Sequence, residues 1–133
     1  MAVVYTSPAP FQSFFRAIDG DVLNQSLAID LTATYSGLTA LSGGGTTGAT
    51  PLLFGMNQVA TTAATNDSVK LPAAQIGATV IVSNAGTSTL AVFPQTADKI
   101  NGGTAGASVT QATVITGVYV CPLANNWYRV LSA

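Results

Sequence analysis

The stretch "ATVIVSNAGTSTLAVFPQTADKINGG", residues 78–103, carries the clearest structural signal in the chain. Val80 and Val82 fall on one side of an alternating pattern, which is typical of a strand with one buried face. The residues "SNAGTST" then turn the chain, and "LAVF" brings it back as a second strand. That strand ends at Pro94, because proline cannot donate a backbone hydrogen bond to a sheet. The stretch therefore predicts two short strands joined by a turn and followed by a loop.

The charged pair Asp98–Lys99 lies in this loop, beside Gly102 and Gly103. It could be the corner of an active site, or only the connection between two parts of a β-fold. Both glycines supply positions that tolerate positive φ, and Ile100, between Pro94 and these glycines, is expected to pack back onto the core. Asp98 is expected to accept backbone N–H bonds, as aspartates commonly do in turns. We therefore interpret the pair as loop structure.

Similar strand patterns recur on both sides of this stretch, divided by Gly, Asn and Pro. A spacing of about 8 to 12 residues between strands favours a sandwich or barrel over a βαβ sheet. We predict an all-β fold: an antiparallel, jelly-roll-like β-sandwich over residues 21–133, with an extended N-terminal arm over residues 1–20. Leu27, Ile29 and Leu31 are expected to share one face of a strand, and Val69 and Leu71 are expected to point inward. Val118 and Val120 are expected opposite Tyr119 and Cys121, and Trp127 is expected to be at least half-buried.

Composition points to a surface covered by other protein. Only 7% of the residues are charged, against about 25% in an average domain, so the chain lacks the charges that keep soluble monomers apart. The apolar fraction is 48%, yet no apolar run approaches the ~20 residues of a membrane-spanning helix. We expect an oligomer and no membrane segment. The alternative is a rugged extracellular domain with an uncharged polar coat.

The residues that usually carry catalysis are scarce. The chain has no histidine, which excludes a Ser-His-Asp triad and a Cys-His pair, and its single cysteine, Cys121, reads as a small buried hydrophobe. The four dispersed bases do not form a nucleic-acid patch. We expect no enzyme, cofactor, metal or nucleic-acid partner. Two weaker alternatives stay open: calcium at Asp19 and Asp21, and a hydrolase in which Asp67 and Asp98 converge.

The N-terminal arm carries the densest cluster of aromatic residues. Phe11, Phe14, Phe15 and Ile18 are spaced to share one helical face, and Gly20 would end that helix. So short a helix is marginal in water, so it must dock either on its own core or on a neighbouring subunit. We assign contacts with neighbouring protein subunits to the apolar residues of the arm: Val3, Val4, Tyr5, Phe11, Phe14 and Phe15.

A resemblance covers residues 66–131. The segment "NDSVKLPAAQIGATVIVSNAGTSTLAVFPQTADKINGG", followed by "VYVCPLANNWYRVL", is similar to a pattern found in small structural proteins of tailed bacteriophages. Its marks are a strand ending in "LP", a glycine turn, the strand "VIVSN", the loop "VFPQTADKING" and a final strand pair with an aromatic residue.

The resemblance implies a β-sandwich or jelly-roll module in a virion protein. For a small protein of this kind it implies a head decoration, or cement, protein. Such a protein would bind the major capsid protein on the outer capsid surface as a homotrimer and stabilise the shell. The N-terminus lacks the features of a signal peptide, so we expect assembly in the bacterial host cytoplasm. The alternative is a tail-fibre or spike domain that binds host glycan through exposed Tyr and Trp.

Overall fold

The computed structural model describes residues 33–133, which form one compact unit. Every regular element in this part of the chain is a β-strand, so the all-β prediction is confirmed there. No helix in residues 33–133 is long and apolar enough to cross a membrane. The predicted arm lies outside the described residues, and with it Val3, Val4, Tyr5, Phe11, Phe14 and Phe15. The same holds for Asp19, Asp21 and the predicted strand around Leu27, Ile29 and Leu31.

The strands form two sheets. Sheet A has six strands in the order β1-β3-β5-β9-β10-β7, and sheet B has four in the order β2-β4-β6-β8. Their bounds are β1 Thr34–Thr39, β2 Thr50–Pro51, β3 Gly55–Thr61, β4 Asp67–Lys70, β5 Thr79–Asn84, β6 Leu90–Phe93, β7 Lys99–Ile100, β8 Val109–Gln111, β9 Thr116–Leu123 and β10 Asn126–Leu131.

From β1 to β6 the chain winds in coils and alternates between the two sheets. Consecutive strands therefore always lie in opposite sheets. The pairs β1·β3 and β3·β5 in sheet A are parallel, as are β2·β4 and β4·β6 in sheet B. This stacking resembles a β-solenoid. The prediction of an antiparallel, jelly-roll-like sandwich is wrong for the pairing of these strands. Residues 85–89, interpreted as a turn between paired strands, instead carry the chain from sheet A to sheet B.

The physical reason for this error is that alternation reports which side chains are buried, and turn residues report where a strand stops. Neither signal says whether the next strand returns to the same sheet or crosses to the opposite one. A hairpin gives an antiparallel neighbour, whereas two successive crossings give a parallel one. The coil path therefore follows from how the loops pack, which a single sequence does not display.

The direction of winding reverses between β7 and β8. Strand β8 runs antiparallel to β6, and β9 runs antiparallel to β5. The reversal falls in residues 101–108, where Asn101, Gly102 and Gly106 have φ of 53°, 71° and 74°. Gly102 thus meets its expectation of positive φ, whereas Gly103 is absent from the positive-φ residues. The Gly-rich loop is where the chain turns back, and β9 and β10 then form an antiparallel hairpin.

One core lies between the two sheets and takes side chains from both. Pro94 directly follows the last residue of β6, as predicted. The side chains predicted to lie on a buried face are buried in this part of the chain: Val69, Leu71, Val80, Val82, Ile100, Cys121 and Trp127. Tyr119, which shares its side of β9 with Cys121, is buried as well.

Candidate functional site

Asp98 is the residue that most resembled a catalytic group. It is buried, and its carboxylate links its own loop to two others by hydrogen bonds. Its Oδ2 accepts a hydrogen bond from the Ala74 backbone N–H at 2.8 Å, and its Oδ1 accepts one from Asn125 Nδ2 at 2.8 Å. The expected backbone N–H donor therefore exists but lies in the β4–β5 connection rather than in the loop of Asp98. Ile100 is buried two residues later. Each carboxylate oxygen of Asp98 is thus engaged by a neighbouring loop.

Asp67 has a comparable environment at the start of β4. Its Oδ2 accepts the backbone N–H groups of Ala63 and Ala64 at 2.9 and 3.0 Å, and its Oδ1 accepts that of Gly43 at 3.1 Å. These bonds, led by the one from Ala64, lower the pKa of Asp67 below its usual value. Among the described residues, no group of three His, Cys, Asp or Glu side chains could hold a metal ion.

The aromatic pair near the end of the chain divides between the two sides of sheet A. Trp127 is fully buried, and its Nε1 has no hydrogen-bond partner among the described residues. Tyr128 points outward and is 38% exposed, and its hydroxyl accepts a hydrogen bond from Asn126 Nδ2 at 3.1 Å. An aromatic platform built from both residues is therefore not formed. Cys121 is buried in the core as predicted, and its thiol donates to the Leu123 carbonyl at 3.1 Å.

The outward side of sheet A carries a row of apolar side chains in register. Met56 pairs with Ile81, Ile81 with Val118, and Val118 with Val130. Strands in a sheet are about 4.8 Å apart, so this row of four residues extends about 14 Å across the sheet. Val130 is 68% exposed and Met56 is 44% exposed.

A second apolar pair continues this row along the strands, since Val120 pairs with Tyr128 in the next outward position. We call these six residues the outer face: Met56, Ile81, Val118, Val120, Tyr128 and Val130. On its other side the row is bordered by the polar residues Gln58, Ser83 and Thr116, which are also in register. The outer face is thus an apolar band bordered by polar side chains, with Thr79 next to Val120 on the opposite side.

The outer face also lacks charge. The outward residues of β3, β5, β9 and β10 include no Asp, Lys or Arg. Arg129 belongs to β10, but its Nη1 donates to the Thr110 carbonyl of sheet B at 2.6 Å. Lys99 lies at the sheet edge in β7, paired with Asn126. Exposed apolar patches are characteristic of interaction sites, so the outer face is the candidate interaction surface of residues 33–133.

A buried polar network lies beneath the outer face and joins the two sheets. The Tyr119 hydroxyl donates to Gln111 Oε1 at 3.0 Å, and Gln111 Nε2 donates to the carbonyls of Val82 and Ile115 at 2.8 and 2.9 Å. Burial raises the pKa of Tyr119 to about 12, against the opposing effect of the Arg129 charge. Because these bonds are satisfied inside the core, they hold sheet A against β8 and give the outer face a rigid base.

Sequence reasoning placed the candidate site in the arm and missed the outer face. One signal could have indicated it. The run "GVYVC" of β9 is apolar on both sides, a pattern typical of strands that are covered on both faces. Tyr119 and Cys121 face the core, so Val118 and Val120 form an apolar surface on the opposite side of β9. That second apolar side is the signal of a surface that could be covered.

No protein-family model matches this chain, and no curated protein matches it significantly. The bacteriophage resemblance therefore rests on the quoted sequence pattern alone.

Proposed function

We propose that this protein is a tailed-bacteriophage capsid decoration, or cement, protein with an adhesive rather than an enzymatic role. It would form a homotrimer, bind the major capsid protein on the outer surface of the virion and stabilise the shell. The observation that carries the proposal is the outer face, an uncharged apolar band on a rigid sheet. The sequence pattern of residues 66–131 supplies the link to tailed phages.

The outer face is better suited to a permanent subunit interface than to a surface that stays exposed to water. Burying apolar surface contributes roughly 25 cal/mol per Å², and the outward positions of the four strands carry no charge that would have to be desolvated. Obligate interfaces between subunits have this apolar character. We therefore assign the outer face to contacts within the trimer. The arm residues Val3, Val4, Tyr5, Phe11, Phe14 and Phe15 are proposed to supply capsid and subunit contacts, and many copies on one shell would add their affinities.

The two sheets of the fold share one core. This is the mechanical property that the sandwich or jelly-roll module implied by the resemblance would bring to a decoration protein. Because the two sheets form one rigid unit, the module would present the same surface geometry to every neighbouring subunit. The assembly would take place in the bacterial cytoplasm, with the finished protein on the outside of the virion.

The decisive experiment is the copy number of the protein in purified virions, measured by quantitative mass spectrometry against the major capsid protein. A decoration protein is expected in numbers comparable to those of the capsid subunit. A small number of copies per particle would move the protein to the tail or to a vertex. Its complete absence from virions would overturn the proposal.

A second candidate is a tail-fibre or spike domain that binds host glycan. Tyr128 favours it, since this aromatic ring is 38% exposed beside the amide of Asn126. The burial of Trp127 weighs against it, because one ring with one amide is a small platform for a sugar. A glycan array with the purified full chain tests this candidate. Binding that is lost in Tyr128→Ala, with the oligomer intact, would support it over the decoration role.

A further inference from the structure

The outer face needs a partner surface that differs from itself. In a ring with threefold symmetry each contact joins two different patches, whereas only a twofold axis lets a patch meet its own copy. If the protein is a homotrimer, as the proposed function states, the outer face of one subunit must contact some other part of its neighbour. That other part must provide a complementary apolar surface.

Residues 33–133 carry no second row of exposed large apolar side chains in register across a sheet. Their other exposed large apolar side chains lie outside the strands or at a strand end: Leu53, Ile76, Val114, Leu123 and Leu131. By contrast, Phe11, Phe14, Phe15 and Ile18 occur within eight residues. Their spacing predicts one continuous apolar stripe on a helix.

The dimensions of this segment match the outer face. In helical geometry the step from Phe11 to Ile18 is about 11 Å long, close to the ~14 Å row from Met56 to Val130. The chain connects to sheet A at its edge, because residue 33 leads directly into β1, and β1 pairs with β3, which carries Met56. Residues 19–32 can span at most about 50 Å when extended, which allows the segment to reach a neighbouring subunit.

From these observations we infer that residues 11–18 of one subunit pack across the outer face of sheet A of the neighbouring subunit. The inference rests on the proposed homotrimer and names the occupant of its subunit interface. Three such exchanges close the ring, so each subunit both donates an arm and receives one. The uncharged character of the outer face agrees with an occupant whose contacting residues are three phenylalanines and an isoleucine.

Cysteine pairs in the full chain test this inference. Two pairs cover both halves of the row: Phe15→Cys with Val118→Cys, and Phe11→Cys with Met56→Cys. The matched control combines Phe15→Cys with Thr110→Cys, which lies in β8 of sheet B. Each variant is oxidised at low concentration and separated on a denaturing gel without reductant. The mass of the untreated wild-type chain in solution is measured in parallel by light scattering.

The expected result is a wild-type mass three times that of one chain, together with covalent dimers and trimers for at least one face pair. The control is expected to stay at the monomer position. A disulfide formed within one chain would overturn the inference, as would a trimeric wild type in which neither face pair cross-links. The proposed homotrimer would survive either result. A monomeric wild type would overturn both the inference and the proposed trimer.

Discussion

Asn125 Nδ2 donates a 2.8 Å hydrogen bond to Asp98 Oδ1, so the turn of the final hairpin is fastened to the loop that leads into β7. The backbone reinforces this connection, because the Lys99 N–H donates to the Asn125 carbonyl at 2.9 Å. Asn125 can take this position because it adopts a φ of 56°, which asparagine tolerates better than most residues. The pair joins two segments on either side of the reversal in winding.

Replacing Asp98 with alanine is expected to destabilise the fold. The change leaves the Ala74 N–H and the Asn125 amide without their acceptor, and hydrogen bonds to a charged group contribute about 1.5–3 kcal/mol each. We expect a loss of roughly 2–4 kcal/mol in the free energy of unfolding, measured by urea denaturation. Asp98→Asn should lose less, because one carbonyl oxygen remains. Lys99→Ala, at the exposed neighbouring position, is the control and should change stability by no more than about 0.5 kcal/mol.

Stability is expected to fall at high pH because of Tyr119. Burial raises the pKa of this hydroxyl from 10.0 to about 12, so the folded protein keeps a proton that the unfolded chain releases. The contribution is complete below pH 10 and is lost as the pH rises from about 10 to 12, at up to about 1.4 kcal/mol per pH unit. Urea denaturation at pH 9, 10 and 11 measures the slope.

Tyr119→Phe is the control for this pH dependence. It should remove the part of the slope that belongs to Tyr119, while costing about 1 kcal/mol at neutral pH, because Gln111 Oε1 loses its donor. An unchanged slope in the phenylalanine variant would show that another group causes the loss of stability.

A charge on the outer face is expected to prevent association without unfolding the subunit. Val118→Lys places an ammonium group in the middle of the apolar row, between Ile81 and Val130, where an occupied interface would have to desolvate it. Light scattering should show a shift from the oligomer to the monomer. Gln58→Lys, at the polar border of the same sheet surface, is the matched control and should remain associated. Equal behaviour of the two variants would contradict the assignment of the outer face.

Trp127 offers a separate test of the core. Its indole N–H is buried and has no hydrogen-bond partner among residues 33–133, and an unsatisfied buried donor costs about 1–3 kcal/mol. Trp127→Phe removes that cost but loses packing volume, so we expect a net loss of only about 1–2 kcal/mol, compared with about 3–5 kcal/mol for Trp127→Ala. Because Trp127 is the single tryptophan, unfolding of the two variants should be followed by circular dichroism. A phenylalanine variant as unstable as the alanine variant would contradict the unpartnered donor.

Much of the local structure could be predicted from particular residues. Val80 and Val82 indicated the buried side of β5, Pro94 indicated the end of β6, and Ile100 indicated that the loop returns to the core. These predictions succeeded because burial alternates with each residue along a strand, and because proline has no N–H to donate. Such rules act within a few residues of the chain, where sequence neighbours are also neighbours in space.

The tertiary structure decided what depends on contacts between distant segments. The donors to Asp98 come from residues 24 and 27 positions away, and the outer face joins Met56 to Val130 through two intervening strands. No local pattern specifies those neighbours, since the same alternating strand can pair in a hairpin or stack in a coil. By itself the sequence determined which side chains avoid water and where strands stop. The packing of the loops decided which sheet each strand joins, and therefore which apolar residues share a surface.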